Sequence, residues 1–550
     1  VARSRCGWLA CIPQNARARR THDSKPAEPV DGSSSSFDRS VTMVRPVISR
    51  LRSIRWADVV IMAVVVVVGV ALRWRLLGSD RGDLLADEAF TGLLSAEILD
   101  GYLPVMIAGI GYTAPVESYL YAPVAAVFGM SVPLLKMVPV VLWACSAAIV
   151  MVGSRRIIGR GPSHVAGVVA WFPPGALLAI SFRAYEGYAS GLVICAVLIV
   201  YAMALVSRRA AVARPMDAVA IGGLVGLLAW VHPIFLVVAL PTLGVLTALR
   251  WRAARHWWLP LIGGGVCGAG LLIAWNAKNG WPSLSQPAEA TEGVGSRFVR
   301  LLTELVPRLF GVRTYGNEWI VPGVVAAVVI VVAVGLIGVG VWRLAQIDRW
   351  VAAVIATPLV GGLPLMSLLN NASITDDGRY GIVFVVPMAI AVGASSMRSR
   401  LLARPAPRSA WSLLPGVVAA VWFVAVVLPW SLGGVDYSVD DPDAPVDELV
   451  EVVRSAGFDR LAGYYWAVLP AEFVSNQEIR VATAGHPPVV LLAETQREVE
   501  STPPEDLAMV FLGDAPEPLL RLPLHAYDIV GVGNWKVYLP AADVRAAVGR

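Results

Sequence analysis

Long apolar runs recur along the whole chain and constrain its fold more than any other feature. Eleven of them lie near residues 57–77, 133–153, 163–182, 187–206, 217–232, 233–249, 258–275, 320–342, 350–369, 380–396 and 411–431. Crossing the hydrocarbon core of a bilayer takes about 20 predominantly apolar residues. Hydrophobic residues make up 56% of the 550 and charged ones only 15%, with a mean hydropathy of +0.64. This composition excludes an ordinary soluble domain and predicts a polytopic α-helical membrane protein of about 11 transmembrane helices. The 50 glycines and 38 prolines agree, since both are commoner in membrane helices than in soluble ones. The net charge of +5 is small and comes from arginines in short loops, which sets orientation and gives no support for nucleic-acid binding.

Arginine clusters at Arg50/Arg52/Arg55, Arg155/Arg156/Arg160, Arg208/Arg209/Arg214, Arg250/Arg252/Arg255, Arg343/Arg349 and Arg398/Arg400/Arg404/Arg408 follow every second apolar run. With positive charge kept inside, the expected topology is multi-pass in the plasma (inner) membrane, N-terminus cytoplasmic and C-terminus outside. The 15-residue stretch PVESYLYAPVAAVFG at 115–129 would invert that alternation if it crossed. It is therefore expected to be a juxtamembrane or re-entrant helix on the outer face. Arg73 and Arg75 sit at the outer end of the first run, where they are expected to snorkel to the interface. Residues 1–55 are rich in Arg, Ser and Pro and read as a disordered cytoplasmic tail, with Met43 as a plausible start and no cleaved signal peptide. The five cysteines, two of them (Cys6 and Cys11) in that tail, show no metal or disulfide spacing and read as structural thiols.

Residues 56–434 are thus expected to form a transmembrane module whose outer loop, 78–132, carries juxtamembrane helices. Residues 435–550 differ. VDELVEVVRSAG reads as an amphipathic helix stopped by Gly457, and EIRVATA, DLAMVFLG, YDIVGVG and WKVYL read as strands. A small soluble extracytoplasmic α/β domain is expected there. It lacks GxGxxG, GxSxG and P-loop sequences, so it is expected to cover or shape a site.

Ionisable residues accumulate on the expected outer face. The stretch DRGDLLADEAF at 80–90 brings Asp80, Asp83, Asp87 and Glu88; Glu117 and Lys136 follow, then Arg183, Tyr185 and Glu186 in SFRAYEG, and His232 in WVHP. Lys278, Glu289, Glu292, Arg297 and Arg300 fall in loop 276–319, and NNASITDDGRY brings Asp376, Asp377, Arg379 and Tyr380. Nearly every ionisable group near a helix end on this face is expected within reach of one shared cavity. Asp80 and Asp83 read as a solvated loop. Asp87 reads as lying at or near the N-cap of an amphipathic helix with Ala89, Leu93, Leu94 and Ile98 on one face. A cap explains one carboxylate but not the adjacent Glu88, and acids at a membrane edge lean towards function. A carboxylate there can deprotonate a hydroxyl, and nearby Arg or Lys can hold a phosphate. Base and cations facing each other suit inverting transfer of a sugar from a lipid phosphate to a hydroxyl acceptor.

The residues ADEA at 86–89, YTAPVESYLYAP at 112–123, SVPLLKMVPVV at 131–141, SFRAYEGYASGL at 181–192 and DDGRYGIVFVVP at 376–387 give the chain a family resemblance. In order and spacing across about 55–435 it resembles the polyprenyl-phosphate-sugar-dependent glycosyltransferases of GT-C fold. Within these it looks closest to the protein O-mannosyltransferase and aminoarabinose transferase branch, glycosyltransferase family 39-like. The resemblance implies Asp87 as catalytic carboxylate with Glu88 as its usual neighbour, and the two are the expected catalytic residues. It also implies substrate contacts from Arg183, Tyr185, Arg379 and Tyr380, with Lys136 where the family commonly has arginine. Thr113-Ala114-Pro115, followed by Glu117, departs from the family's basic residue before proline. Glu117, Lys136, Glu186 and His232 complete the expected donor- and acceptor-binding set. A polyprenyl-phosphate hexose or pentose is the implied donor, and a cell-wall glycan, a lipid or an exported protein of a bacterial cell the implied acceptor.

No His/Asp/Glu cluster shows metal spacing, so no cofactor is predicted, though a divalent metal is compatible. Trp171-Phe172-Pro173-Pro174 reads as a kinked packing region, and Trp257-Trp258 as an interfacial anchor. Two rival readings remain. A transporter or lipid flippase would show internal repeats and broken helices at mid-membrane, and a catalytically silent scaffold would keep the fold without its chemistry.

Overall fold

A computed structural model describes residues 56–79, 82–207, 214–250, 254–284, 292–314, 318–369, 375, 378–397, 408–427, 446–484 and 492–548. The expected disordered tail with its two cysteines, Asp80, Glu289, Asp376 and Asp377 lie outside the described residues. The core and the cavity described below belong to one compact unit that begins at Ala63.

Every predicted apolar run is mostly helical over its described residues. In chain order the helices of this part are α1 (Trp56–Leu77), α2 (Ala86–Leu99), α3 (Val116–Phe128), α4 (Val132–Ile158), α5 (Arg160–Trp171), α6 (Gly175–Ile180), α7 (Tyr188–Ser207) and α8 (Pro215–Val231). They continue with α9 (Leu236–Arg250), α10 (Ala254–Gly268), α11 (Gly270–Asn279), α12 (Val294–Arg300), α13 (Val306–Leu309), α14 (Gly323–Ile347), α15 (Arg349–Ser367), α16 (Val385–Ser395) and α17 (Arg408–Trp422). Among the described residues five helices are long and apolar enough to cross a membrane, or six if α10 and α11, bent by 62°, make one span. Their outer surfaces are what a bilayer covers: on α14, Val324, Val328 and Val331 are 57–79% exposed. The chain is a multi-pass membrane protein.

Several predicted runs are broken, each for a local reason. The run 163–182 splits into α5 and α6 at Pro173-Pro174, which cannot continue the hydrogen-bond ladder. The run 380–396 begins as a 3-10 turn, Arg379–Phe384, after Gly378 in the left-handed region (φ 73°). Where helices touch most closely, small residues line the seam. A Cβ on Gly222 or Gly226 of α8 would lie 2.0–2.2 Å from backbone oxygens of α10, and one on Gly264 or Gly268 would strike α8 at 2.1–2.2 Å. Backbone contact of this kind replaces the hydrophobic driving force that lipid removes.

Two expectations fail on burial. Arg73 does not snorkel: it is 1% exposed, stacked 3.9 Å over Trp171, and donates to Ser181 Oγ (2.7 Å), the Gly69 carbonyl (3.1 Å) and the Trp171 carbonyl (2.8 Å). A guanidinium with its donors satisfied by a hydroxyl and two carbonyls can stay inside the bundle. Trp257 is likewise buried rather than anchored at an interface.

The C-terminal residues form a layer of α18 (Val446–Ser455), β1 (Arg460–Gly463), α19 (Tyr465–Val474), β2 (Arg480–Thr483), α20 (Ala493–Glu500), β3 (Ala508–Leu512), β4 (Tyr527–Val532), β5 (Trp535–Pro540) and α21 (Ala542–Val548). The sheet order is β2-β1-β3-β5-β4, with β1 parallel to β2 and β3, and β5 antiparallel to β3 and β4. Its core is continuous with the helices of residues 86–135: Phe90, Leu93 and Leu94 pack in one cluster with Leu469, Phe473 and Val510. Helix α2 is therefore buried nearly all round from Ala86 to Ser95, apart from Asp87, and is not the one-faced amphipathic surface helix expected.

Candidate active site

Helix α4 and the turn at Arg183-Ala184 meet on the first turn of α2. Leu85 is its extended N-cap, so Asp87 is the second helical residue and not the cap. Acidic residues are favoured here because the free N–H groups and the helix dipole attract negative charge. Glu88 turns back and accepts the Leu85 N–H at 3.2 Å. Its other partners are long-range: Lys136 Nζ at 2.6 and 2.7 Å, Arg183 Nη1 at 2.8 Å and the Ala184 N–H at 3.0 Å. The carbonyl of Asp83 accepts from both cations as well. Glu88 and Lys136 are 0% exposed. Burial alone would raise the Glu88 carboxyl; the charges of Lys136 and Arg183 outweigh it and hold it below the ordinary glutamate value.

A second lock lies behind the first. Glu186, just before α7, accepts the backbone N–H groups of Glu117 (3.0 Å) and Ser118 (2.9 Å), and the Ser118 hydroxyl, at the start of α3. Glu117, in turn, accepts the N–H groups of Gly187 (2.7 Å) and Ser190 (2.9 Å) and the Ser190 hydroxyl (2.9 Å) at the start of α7. Each carboxylate caps the other's helix. Burial, then the Glu117 charge, pushes Glu186 well above the ordinary range; burial raises Glu117. The turn closes only because residue 187 is glycine: its φ is 79°, and a Cβ would sit 2.6 Å from the Val231 carbonyl.

In front of these locks lies a cavity of about 100 Å³. Asp87, Tyr112, Tyr185, Glu186, Tyr188 and His232 line it with Arg379 and Tyr380, over an apolar wall that includes Phe90 and Ile107. Asp87 is the carboxylate open to it, with its side chain 31% exposed. Arg379 Nη1 lies 3.1 Å from Asp87 Oδ2, and the Tyr465 hydroxyl donates to Oδ1 at 2.8 Å. The Arg379 guanidinium lies 5.5 Å from the rings of both Tyr185 and Tyr380. His232 packs on Tyr188 (4.8 Å) and Tyr112 (5.9 Å). Its Nδ1 accepts the Ile234 N–H at 3.2 Å, which leaves the proton of the neutral ring on Nε2. Burial, then the nearby Arg379 charge, lowers its pKa to about 3, so the ring is neutral near pH 7.

The predicted residues therefore divide. Asp87, Tyr185, Glu186, His232, Arg379 and Tyr380 line one cavity, although 292 positions separate Asp87 from Arg379. Glu88, Glu117, Lys136 and Arg183 do not line it; they are spent on the two locks behind it. The expectation that nearly every outer-face ion shares the cavity is corrected on this point, because a buried charge is stable only when its partners are already in place. Arg297 and Arg300 are also spoken for, on the Ser367 carbonyl and on Thr375 and Glu304. Sequence reasoning misses Tyr112, Tyr188 and Tyr465. The first two stand inside quoted stretches; Tyr465 comes from the C-terminal layer, whose sequence carries no chemical signature. Among the described residues no three His, Cys, Asp or Glu side chains converge as a metal ligand set.

No protein-family model and no curated protein sequence matches the chain. Its structure does match solved ones. ArnT from Cupriavidus metallidurans in the apo state superposes with a TM-score of 0.54 at 12% identity, over 87% of this chain and 98% of that one. The same protein bound to undecaprenyl phosphate gives 0.57 at 13% identity, over 88% and 98%. The mycobacterial arabinofuranosyltransferase AftD gives 0.48 at 14%, over 88% of this chain and 40% of that one. The near-complete mutual coverage with ArnT, at an identity too low to carry more than architecture, establishes that this chain has the GT-C fold its sequence resembles.

Proposed function

We propose that the protein is an inverting glycosyltransferase that moves a sugar from a polyprenyl-phosphate donor to an acceptor hydroxyl on the outer face of the membrane. The observation that carries this reading is Asp87: a carboxylate open to a cavity, with a guanidinium beside it and aromatic rings around it. The acceptor oxygen attacks the anomeric carbon from the face opposite the phosphate while Asp87 takes its proton. The bond from that carbon to the phosphate oxygen breaks, and the lipid phosphate leaves with the electron pair. Arg379 is the cavity cation that stabilises this charge. Tyr112, Tyr185, Tyr188 and Tyr380 bracket the sugar with rings and hydroxyls, and His232 offers it an uncharged Nε2–H donor. Glu88, Lys136 and Arg183 fix the first turn of α2, and the Glu117–Glu186 exchange fixes the wall opposite. The eleven-span topology, inner-membrane location and outward C-terminal layer belong to the same proposal, as does an acceptor that is a glycan, a lipid or an exported protein.

The test mixes purified protein with a panel of undecaprenyl-phosphate sugars labelled in the sugar, with membrane extract as acceptor source. Loss of label from lipid is expected for the wild type and not for Asp87→Asn, with both proteins equally well folded. An Asp87→Asn protein that still transfers would remove the proposed base.

A further inference from the structure

Tyr465 makes the bond that the acceptor has to make. Its hydroxyl donates to Asp87 Oδ1 at 2.8 Å, from α19, 378 residues along the chain. A hydroxyl about to be deprotonated must approach its base to roughly 2.6–3.2 Å in the same sense. The other carboxylate oxygen is taken by Arg379. The phenol's placement is built in. Tyr465 is 5% exposed and packs edge-on against Trp466 at 5.2 Å. At the far end of α19, Phe473 lies so close to Gly92 of α2 that a Cβ there would come within 2.1 Å of its ring. The phenol does not serve as nucleophile itself: burial, then the Asp87 charge, pushes its hydroxyl pKa well above the ordinary value, so it keeps its proton.

We propose that Tyr465 holds the acceptor's station on Asp87 while no acceptor is bound and so keeps water from being activated there. The inference rests on the glycosyltransferase reading. The reaction it suppresses is donor hydrolysis. In that reaction a water oxygen would attack the anomeric carbon, Asp87 would take its proton, and the carbon–oxygen bond to phosphate would break to release free sugar and polyprenyl phosphate. The true acceptor displaces the phenol because it brings many further contacts in the cavity, whereas a single water brings few. Tyr465 is in this sense a specificity-determining residue contributed by the C-terminal layer.

Tyr465→Phe keeps the ring and removes only the hydroxyl. Wild type, Tyr465→Phe and Asp87→Asn are incubated with labelled undecaprenyl-phosphate sugar, with and without acceptor extract. Free sugar and transferred sugar are counted separately, and a thermal unfolding scan checks each protein. Without acceptor, Tyr465→Phe is expected to release free sugar roughly tenfold faster than wild type, the scale of one lost hydrogen bond to a charged group. With acceptor, its KM for acceptor is expected to fall, and Asp87→Asn should do neither reaction. Unchanged hydrolysis, or hydrolysis and transfer falling together, would overturn the proposal and leave Tyr465 a positioning residue. A folded wild type that moves sugar to neither water nor acceptor would overturn the glycosyltransferase reading and this inference with it.

Discussion

Glu88→Gln isolates the structural half of the Asp-Glu pair. The substitution keeps the shape of the side chain and removes its charge. It leaves the Lys136 ammonium, 0% exposed, and the Arg183 guanidinium, 7% exposed, without the carboxylate that bonds them both. Breaking a buried pair from one side costs roughly 3–5 kcal/mol, because the surviving charge stays desolvated. Here two charges survive, so the upper part of that range is expected. Lys136→Met makes the informative contrast. In the wild type Glu88 is bonded to two cations and in the variant to one, since Glu88 stays bonded to Arg183 (2.8 Å) and the Ala184 N–H (3.0 Å). Its cost should be that of one charged hydrogen bond, about 1.5–3 kcal/mol. The double variant should be more stable than Glu88→Gln alone, since it removes one of the two stranded cations. Denaturation of purified protein in detergent, followed by tryptophan fluorescence, gives the three values. The sign with pH is also fixed. The folded Glu88 carboxyl is depressed, so its contribution is present above the unfolded glutamate pKa and is lost as pH falls through the lower folded value. A Glu88→Gln protein as stable as wild type, or less harmed than Lys136→Met, would refute the charge-balance reasoning.

Two other outcomes are expected. Replacement of His232 by Asn or by Gln separates the roles of its two ring nitrogens. In His232→Asn the short amide supplies an Oδ1 in place of the Nδ1 acceptor that caps Ile234, whereas in His232→Gln the longer amide reaches the position of Nε2. The Asn variant is expected to fold and keep the turn, but to lose transfer efficiency roughly tenfold, because the donor into the cavity is gone. His232→Gln should recover most of that loss, and equal rates for the Asn variant and wild type would discard the donor role. Glu472 gives a pH effect of the opposite sign to Glu88. Burial pushes its carboxyl from 4.5 up to about 8, against the opposing charge of Arg480, which lies 3.0 Å away. A raised folded pKa means that the stability it contributes is complete below about pH 4.5 and is lost as pH rises through about 8. Hydrogen exchange over Tyr465–Thr483 should therefore quicken across that window, beyond the intrinsic rise in exchange rate, in wild type and not in Glu472→Gln.

What could be read from the sequence depended on how local the cause was. The apolar runs were legible because length and hydropathy alone make a helix in lipid. The strands at 480–483, 508–512, 527–532 and 535–540 were legible from alternation and β-branched residues, whereas β1, only Arg-Leu-Ala-Gly, had too little of either. At the site, residue type and order were enough to bring Asp87, Glu186, His232 and Arg379 to one cavity. Their division of labour was not legible. Whether Lys136 faces a substrate or Glu88 depends on a side chain 48 residues away. Tyr465 was out of reach for the same reason, since nothing near it in sequence says that α19 docks onto α2.

The adjacent residues Asp87 and Glu88 show why order along the chain does not decide role. Successive residues on an α-helix point about 100° apart. Asp87 therefore faces the cavity, where its two partners leave it 31% exposed. Glu88, one step on, faces the bundle, where it meets two cations and two backbone N–H groups and has no exposure left. The second carboxylate is what allows the first to work. A helix N-terminus carrying a reactive group must be held still, yet the reactive group itself cannot be tied down on every side. Placing the tether at the next position meets both demands with one turn of helix. The pair is then a unit in which charge neutralisation behind the helix sets the position of the base in front of it, and loss of either carboxylate should abolish transfer by a different route: Asp87→Asn through chemistry at full stability, Glu88→Gln through a displaced or unfolded first turn.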